Sequence, residues 1–95
     1  MSSKNFFVIV YDISSDKRRV KLHNKLEDYG SPIQYSVFEC LLTPKEYEKL
    51  KAEVKKITRP RLDHVRFYNL CFECRNKVEI IGRSEVTTEK ETIIV

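Results

Sequence analysis

The chain has 95 residues, 41% of them hydrophobic, and a formal net charge of +4. That length suits one domain and hardly two. No stretch approaches the ~20 apolar residues that span a membrane, and Met1 to Asn5 lacks the order of an export signal. Three cysteines, an odd number, argue against a disulfide framework, so the expected setting is the cytoplasm. A mild basic excess is compatible with nucleic acid but does not establish it.

The first element is read from Phe6 to Ile13, FFVIVYDI, a nearly unbroken apolar run rich in aromatic and β-branched residues. It reads as a strand buried on both faces, and it ends on one carboxylate, Asp12. Ser14, Ser15 and Asp16 supply N-cap chemistry. A helix follows to about Tyr29, with Leu22, Leu26 and Tyr29 along one face. Gly30 suits the C′ position of that helix, and Pro32 prevents its continuation.

Ile33 to Leu42, IQYSVFECLL, is extended by composition. One long strand and two short ones fit equally, because no Gly or Asn-Gly marks a turn. Thr43-Pro44-Lys45-Glu46 combines a capping box with proline at the first helical position. The second helix carries Tyr47, Leu50, Val54 and Ile57 at helical spacing and ends before Pro60. His64 to Cys71 reads as a strand, and Val78 to Ile81 as another. Gly82 to Lys90 reads as loop, and Thr92 to Val95 as a short terminal strand that needs a pairing partner. Two amphipathic helices cover one face of a four-stranded sheet and leave the other bare. The cheapest cover for an apolar second face is a second copy of the sheet, in a two-fold dimer.

A carboxylate at a strand end is costly to desolvate without water, a partner or a metal. Beyond it, Lys17-Arg18-Arg19 opens a helix, where cations oppose the dipole at about 0.3–1 kcal/mol each. Such a broken local rule often marks function, and a phosphate would gain from both side chains and free backbone N–H groups. Lys55, Lys56, Arg59 and Arg61 form a second basic cluster, which the dipole favours at a helix C-terminus. For Asp12 the plain alternative is a residue that ends the strand and helps cap the helix; no general base stands near it in sequence. Tyr11, Tyr35 and Phe38 fit base stacking or, more simply, core packing. Cys71-Phe72-Glu73-Cys74 has zinc or redox spacing, with Cys40 and His64 as the remaining zinc candidates. One CxxC is a weak signal for zinc, and two thiols at strand ends are the simpler reading.

Taken together, VIVYDIS, the basic helix start, Gly30, QYSVFE, the capped leucine-rich helix, HVRFYNLC and VEIIG resemble the CRISPR-associated protein two family across nearly the whole chain. The resemblance implies an α+β, ferredoxin-like βαββαβ fold over residues 1–82, with Ile33 to Leu42 folded as a tight hairpin. It implies a two-fold homodimer with sheets packed face to face, and residues 83–95 as a loop and extra C-terminal strand pairing across that dimer. The implied function is spacer acquisition, with Mg²⁺-dependent endonuclease activity on RNA or DNA. The alternative is a non-catalytic adaptor that binds duplex DNA and bridges integrase subunits. Asp12 is the implied metal-binding and catalytic residue, and Arg18, Arg19 and Lys21 match basic family positions on the first helix; with Lys17, Arg59 and Arg61, read from the two basic clusters, they are the nucleic-acid-binding candidates. Implied partners are a second copy, the CRISPR integrase subunit, duplex DNA and single-stranded RNA. One departure stands out: Pro32 occupies a position that is basic in many members.

Overall fold

The computed structural model describes residues 4–82. Their order is β1 (Asn5–Asp12), α1 (Asp16–Glu27), β2 (Gly30–Gln34), β3 (Val37–Leu42), α2 (Pro44–Ile57), β4 (His64–Leu70) and a 3-10 helix (Phe72–Lys77). The strands form one sheet in the order β2-β3-β1-β4, antiparallel throughout. This is the ferredoxin-like βαββαβ arrangement expected from the resemblance. β1 and β3 are central, which suits their apolar runs. Pro32, which has no N–H to give a ladder, sits on the edge strand β2.

Alternation along the strands sorts their side chains between two faces. Phe7, Ile9 and Tyr11 of β1 and Phe38, Cys40 and Leu42 of β3 meet Leu22 and Leu26 of α1 and Leu50 and Val54 of α2 in one buried cluster. Tyr47 stacks on Phe7 at 4.6 Å and meets Phe67 edge-on at 5.6 Å. The opposite face carries Phe6, Val8, Val10 and Asp12 from β1 and, by register, Val37, Glu39 and Leu41 from β3 and His64, Arg66, Tyr68 and Leu70 from β4. Among the described residues no α-helix covers it: Phe6 and Leu41 at one end are buried, Val8, Val10 and Val37 are half-buried, and Tyr68 and Leu70 are exposed. The 3-10 helix lies against β1.

Both helices start as their sequences dictate. Ser15 caps α1 by accepting from the Arg18 amide, and Thr43 and Glu46 close a reciprocal capping box on α2. Three expectations need correction. Gly30 is not a C′ glycine. It belongs to β2, and α1 ends at a right-handed Asp28 cap. Glycine is required there by close approach, since a Cβ would lie 2.2 Å from the Glu39 carbonyl oxygen and 2.4 Å from the Cys40 sulfur. The hairpin therefore begins at Gly30, three residues earlier than Ile33, and turns at Tyr35 and Ser36. Finally, Val78–Ile81 forms no strand. After β4 the 3-10 helix turns the chain away, no described strand pairs with these residues, and Ile81 is fully exposed. Thr92 to Val95 lies outside the described residues.

Candidate nucleic-acid interface

Asp12 and the basic helix start meet at one rim of the sheet, on its two different faces. Asp12 ends β1 on the face without α-helices, exposed, and its carboxylate makes no hydrogen bond or ion pair among the described residues. The capping alternative for it does not apply, because Ser15 holds that role. Its partner across the β1–β4 ladder is His64, and Val10 pairs with Arg66. Val10, Tyr11, Asp12, His64 and Arg66 line a depression of about 330 Å³. Arg66 donates from Nη1 to the Tyr68 hydroxyl at 3.3 Å, which keeps its guanidinium on this face. A carboxylate, an imidazole and a guanidinium therefore share one patch, although more than fifty positions separate Asp12 from the other two.

On the helix face the three cations of the first turn of α1 have different fates. Arg18 reaches Asp63, just before β4, through Nε to Oδ2 at 2.8 Å and Nη2 to Oδ1 at 3.1 Å. Asp63 also accepts from the Ser14 amide and hydroxyl, each at 3.1 Å, and from the Arg59 amide at 2.8 Å. Its side chain is fully buried. The Arg18 guanidinium and these donors hold the Asp63 carboxyl well below the usual carboxylate range. The clasp joins the β1–α1 loop to the α2–β4 loop and so fixes the ends of both strands that present Asp12 and His64. Arg19 pairs with Asp16 and donates to the Ile13 carbonyl at 3.0 Å. Lys17 is exposed.

Lys17 and Lys21 instead face Lys56 and Arg59 across a cleft of about 490 Å³, lined also by Arg18, Ile57, Thr58 and Pro60. No acidic residue lines it. Members of both basic clusters, Lys17 and Arg18 from the first and Lys56 and Arg59 from the second, thus share one site where the start of α1 meets the end of α2. Arg61 is exposed outside this cleft, beside Arg59, Pro60 and Leu62.

The aromatic candidates divide in the same way. Tyr11 and Phe38 are core residues. The Tyr11 hydroxyl donates to the Tyr35 carbonyl at 3.0 Å, and burial pushes its ionisation upward. Tyr35 itself is 98% exposed at the hairpin turn. No zinc set forms: among the described residues no group of three or more His, Cys, Asp or Glu could hold a metal, and Cys40 is buried in the core.

An exposed strand-end carboxylate and a cationic cleft thus flank one rim of a small ferredoxin-like sheet. The family model described as CRISPR associated protein Cas2 matches residues 5–78. A relative from Synechocystis, "CRISPR-associated endoribonuclease Cas2 3", is 39% identical over 89 residues, 94% of this chain and 97% of its own length. Streptococcus pyogenes Cas2 superposes with a TM-score of 0.71 at 32% identity, covering 81% of this chain and 99% of that one. A chain of a partial Cas6-RT-Cas1–Cas2 complex superposes with a TM-score of 0.66 at 32% identity, covering 81% of this chain and 90% of the other. The chain belongs to the Cas2 family of CRISPR-associated proteins. Among the described residues no helix is long and apolar enough to cross a membrane.

Proposed function

We propose that this chain acts in spacer acquisition as a homodimer that binds nucleic-acid backbones and cleaves a phosphodiester at Asp12 with Mg²⁺. The observation that carries the reading is the division of the rim. A carboxylate stands exposed and unpaired on one face, and Lys17, Lys21, Lys56 and Arg59 converge on the other. The endoribonuclease name of the Synechocystis relative supports the chemistry, and the Cas1-containing complex supports an integrase partner. The part of this sheet face left accessible, with Val8, Val10, Val37, Tyr68 and Leu70, supports a two-fold partner.

One carboxylate per chain is a sparse metal site. It still fits Mg²⁺, which keeps several waters and is often held by one or two carboxylates plus substrate phosphates. In a dimer two copies of Asp12 are available. Asp12 would hold such an ion, which would supply Lewis-acid polarisation of a phosphoryl oxygen or activation of a water. The Arg66 guanidinium, on the same patch, is placed to neutralise the approaching phosphate. A ring nitrogen of His64, opposite Asp12, can accept a proton from the attacking water. The cleft cations hold the backbone by phosphate contacts, which carry little sequence information.

The test is incubation of the protein with single-stranded RNA and with duplex DNA, with Mg²⁺ and with a chelator. The expected result is cleavage of at least one substrate with Mg²⁺ alone, and salt-sensitive binding under both conditions. Binding without cleavage of either substrate would favour the non-catalytic duplex adaptor, which the Cas1-containing neighbour equally supports. A monomer by light scattering at micromolar concentration would contradict the dimer.

A further inference from the structure

We propose that Cys71 and Cys74 form a reversible dithiol–disulfide couple, a redox modification site at the end of the sheet remote from Asp12. The two sulfurs lie 3.2 Å apart in hydrogen-bond contact. They flank the first turn of the 3-10 helix, closed by the Cys74 amide donating to the Cys71 carbonyl at 3.0 Å. In such a turn, side chains three apart are eclipsed, so both sulfurs project from the same side without rearrangement of the backbone ladder. Closing the pair to a bond of about 2.05 Å takes a shift of little more than an ångström. Cys71 is exposed and Cys74 half-buried, whereas Cys40 is buried in the core. The reactive sulfurs are therefore confined to this turn.

The two thiols are also unequal. The contact with Cys74 draws the Cys71 ionisation downward, and the same contact together with burial pushes that of Cys74 upward. Exposure assigns the roles: the exposed Cys71 is the attacking thiol and the half-buried Cys74 the resolving one. The oxidant is a low-molecular-weight disulfide of the glutathione class. The Cys71 thiolate attacks one of its sulfurs, the disulfide bond breaks, and one thiolate leaves. Cys74 then loses its proton to solvent and attacks the Cys71 sulfur, releasing the second thiolate. Two protein thiols are oxidised and one small disulfide is reduced to two thiols. A bridge across so short a loop removes little unfolded-chain entropy, and exposed bridges of this kind are the readily reduced ones. The couple is therefore a switchable mark and not a staple. It lies at the exit of β4, about 20 Å along the strand from His64 at ~3.3 Å per residue.

The experiment is incubation of the full chain with excess oxidised glutathione, followed by intact-mass and peptide mapping. Wild type should lose two hydrogen atoms, map the bridge to Cys71 and Cys74, and recover fully with dithiothreitol. Cys74→Ser should accumulate a stable mixed disulfide at Cys71. Iodoacetamide should label Cys71 of the reduced protein at least ~10-fold faster than Cys40. Retention of both thiols in wild type would overturn the proposal. So would a disulfide-linked pair of chains in place of the internal bridge, or equal accumulation of mixed disulfide in wild type and Cys74→Ser.

Discussion

Asp12 closes β1 and Asp63 immediately precedes β4, and because Asp12 pairs with His64 the two carboxylates occupy neighbouring places on one rim. Asp63 is fully buried and accepts from Ser14, Arg18 and Arg59. The Asp12 carboxylate is exposed and accepts from no described residue. The same chemical group is structural where every lone pair is used and available for a ligand where none is. Arg18 and Lys17 repeat the contrast among cations: the first is held by Asp63, and the second faces an open cleft. A broken helix-dipole rule at the start of α1 thus has two explanations, one for each residue.

The strongest way to break the comparison is Asp63→Asn. It should cause the largest stability loss of any single substitution at this rim, because Arg18 loses its charged partner in a buried setting. Its acid response sharpens the point. The folded-state ionisation of Asp63 is depressed, so its contribution is complete above the unfolded value of about 4. It is lost progressively as pH falls below that. Urea titrations between pH 7 and pH 3 should show wild type losing stability more steeply than Asp63→Asn over the acid part of the range.

Next in size is the cleft. Replacing Lys17, Lys21, Lys56 and Arg59 by Ala should weaken duplex binding at moderate salt roughly 10-fold or more, across all sequences. The salt slope should fall by about 0.9 for each cation that contacts a phosphate. The Arg59 amide, which serves Asp63, is untouched by this change. Fluorescence anisotropy against salt concentration measures both quantities. An unchanged slope would place the backbone track elsewhere.

Single substitutions then separate the two cations. Lys17→Ala should leave the melting curve within about 0.5 kcal/mol of wild type while lowering the salt slope. Arg18→Ala should lower stability clearly, since it strands Asp63. Tyr11→Phe, which removes the hydroxyl that holds the Tyr35 carbonyl, acts on stability alone. A loss of about 0.5–1.5 kcal/mol is expected by denaturant titration, with cleavage and binding retained.

Local signals told most of the fold. The Phe6–Ile13 run, the Ser14–Asp16 cap region, the Thr43–Glu46 capping box and the His64–Cys71 strand are all within-segment patterns, and the structure keeps them as β1 (Asn5–Asp12), the Ser15 cap, the capping box and β4 (His64–Leu70). The hairpin turn was open because Tyr35 and Ser36 need no positive φ and carry no glycine; the turn is held instead by Tyr11, through its hydroxyl and amide. Gly30 was placed by a local rule, but its reason is a neighbour on β3. The candidate site was legible only as separate pieces. Asp12 and the cations stood out by type, but the Arg18–Asp63 pair spans forty-five positions. The single cleft needs α1 and α2 side by side, and the Asp12–His64 juxtaposition depends on the β1–β4 register.

The most direct measurement of the central claim is Mg²⁺-dependent cleavage by Asp12→Asn beside wild type, with thermal midpoints taken on the same preparations. Asn keeps the size and one oxygen but removes the charge that attracts the cation. Cleavage should fall at least ~100-fold, with the midpoint unchanged and backbone binding retained or strengthened. Cleavage at the wild-type rate would contradict the account and move any nuclease activity away from this carboxylate.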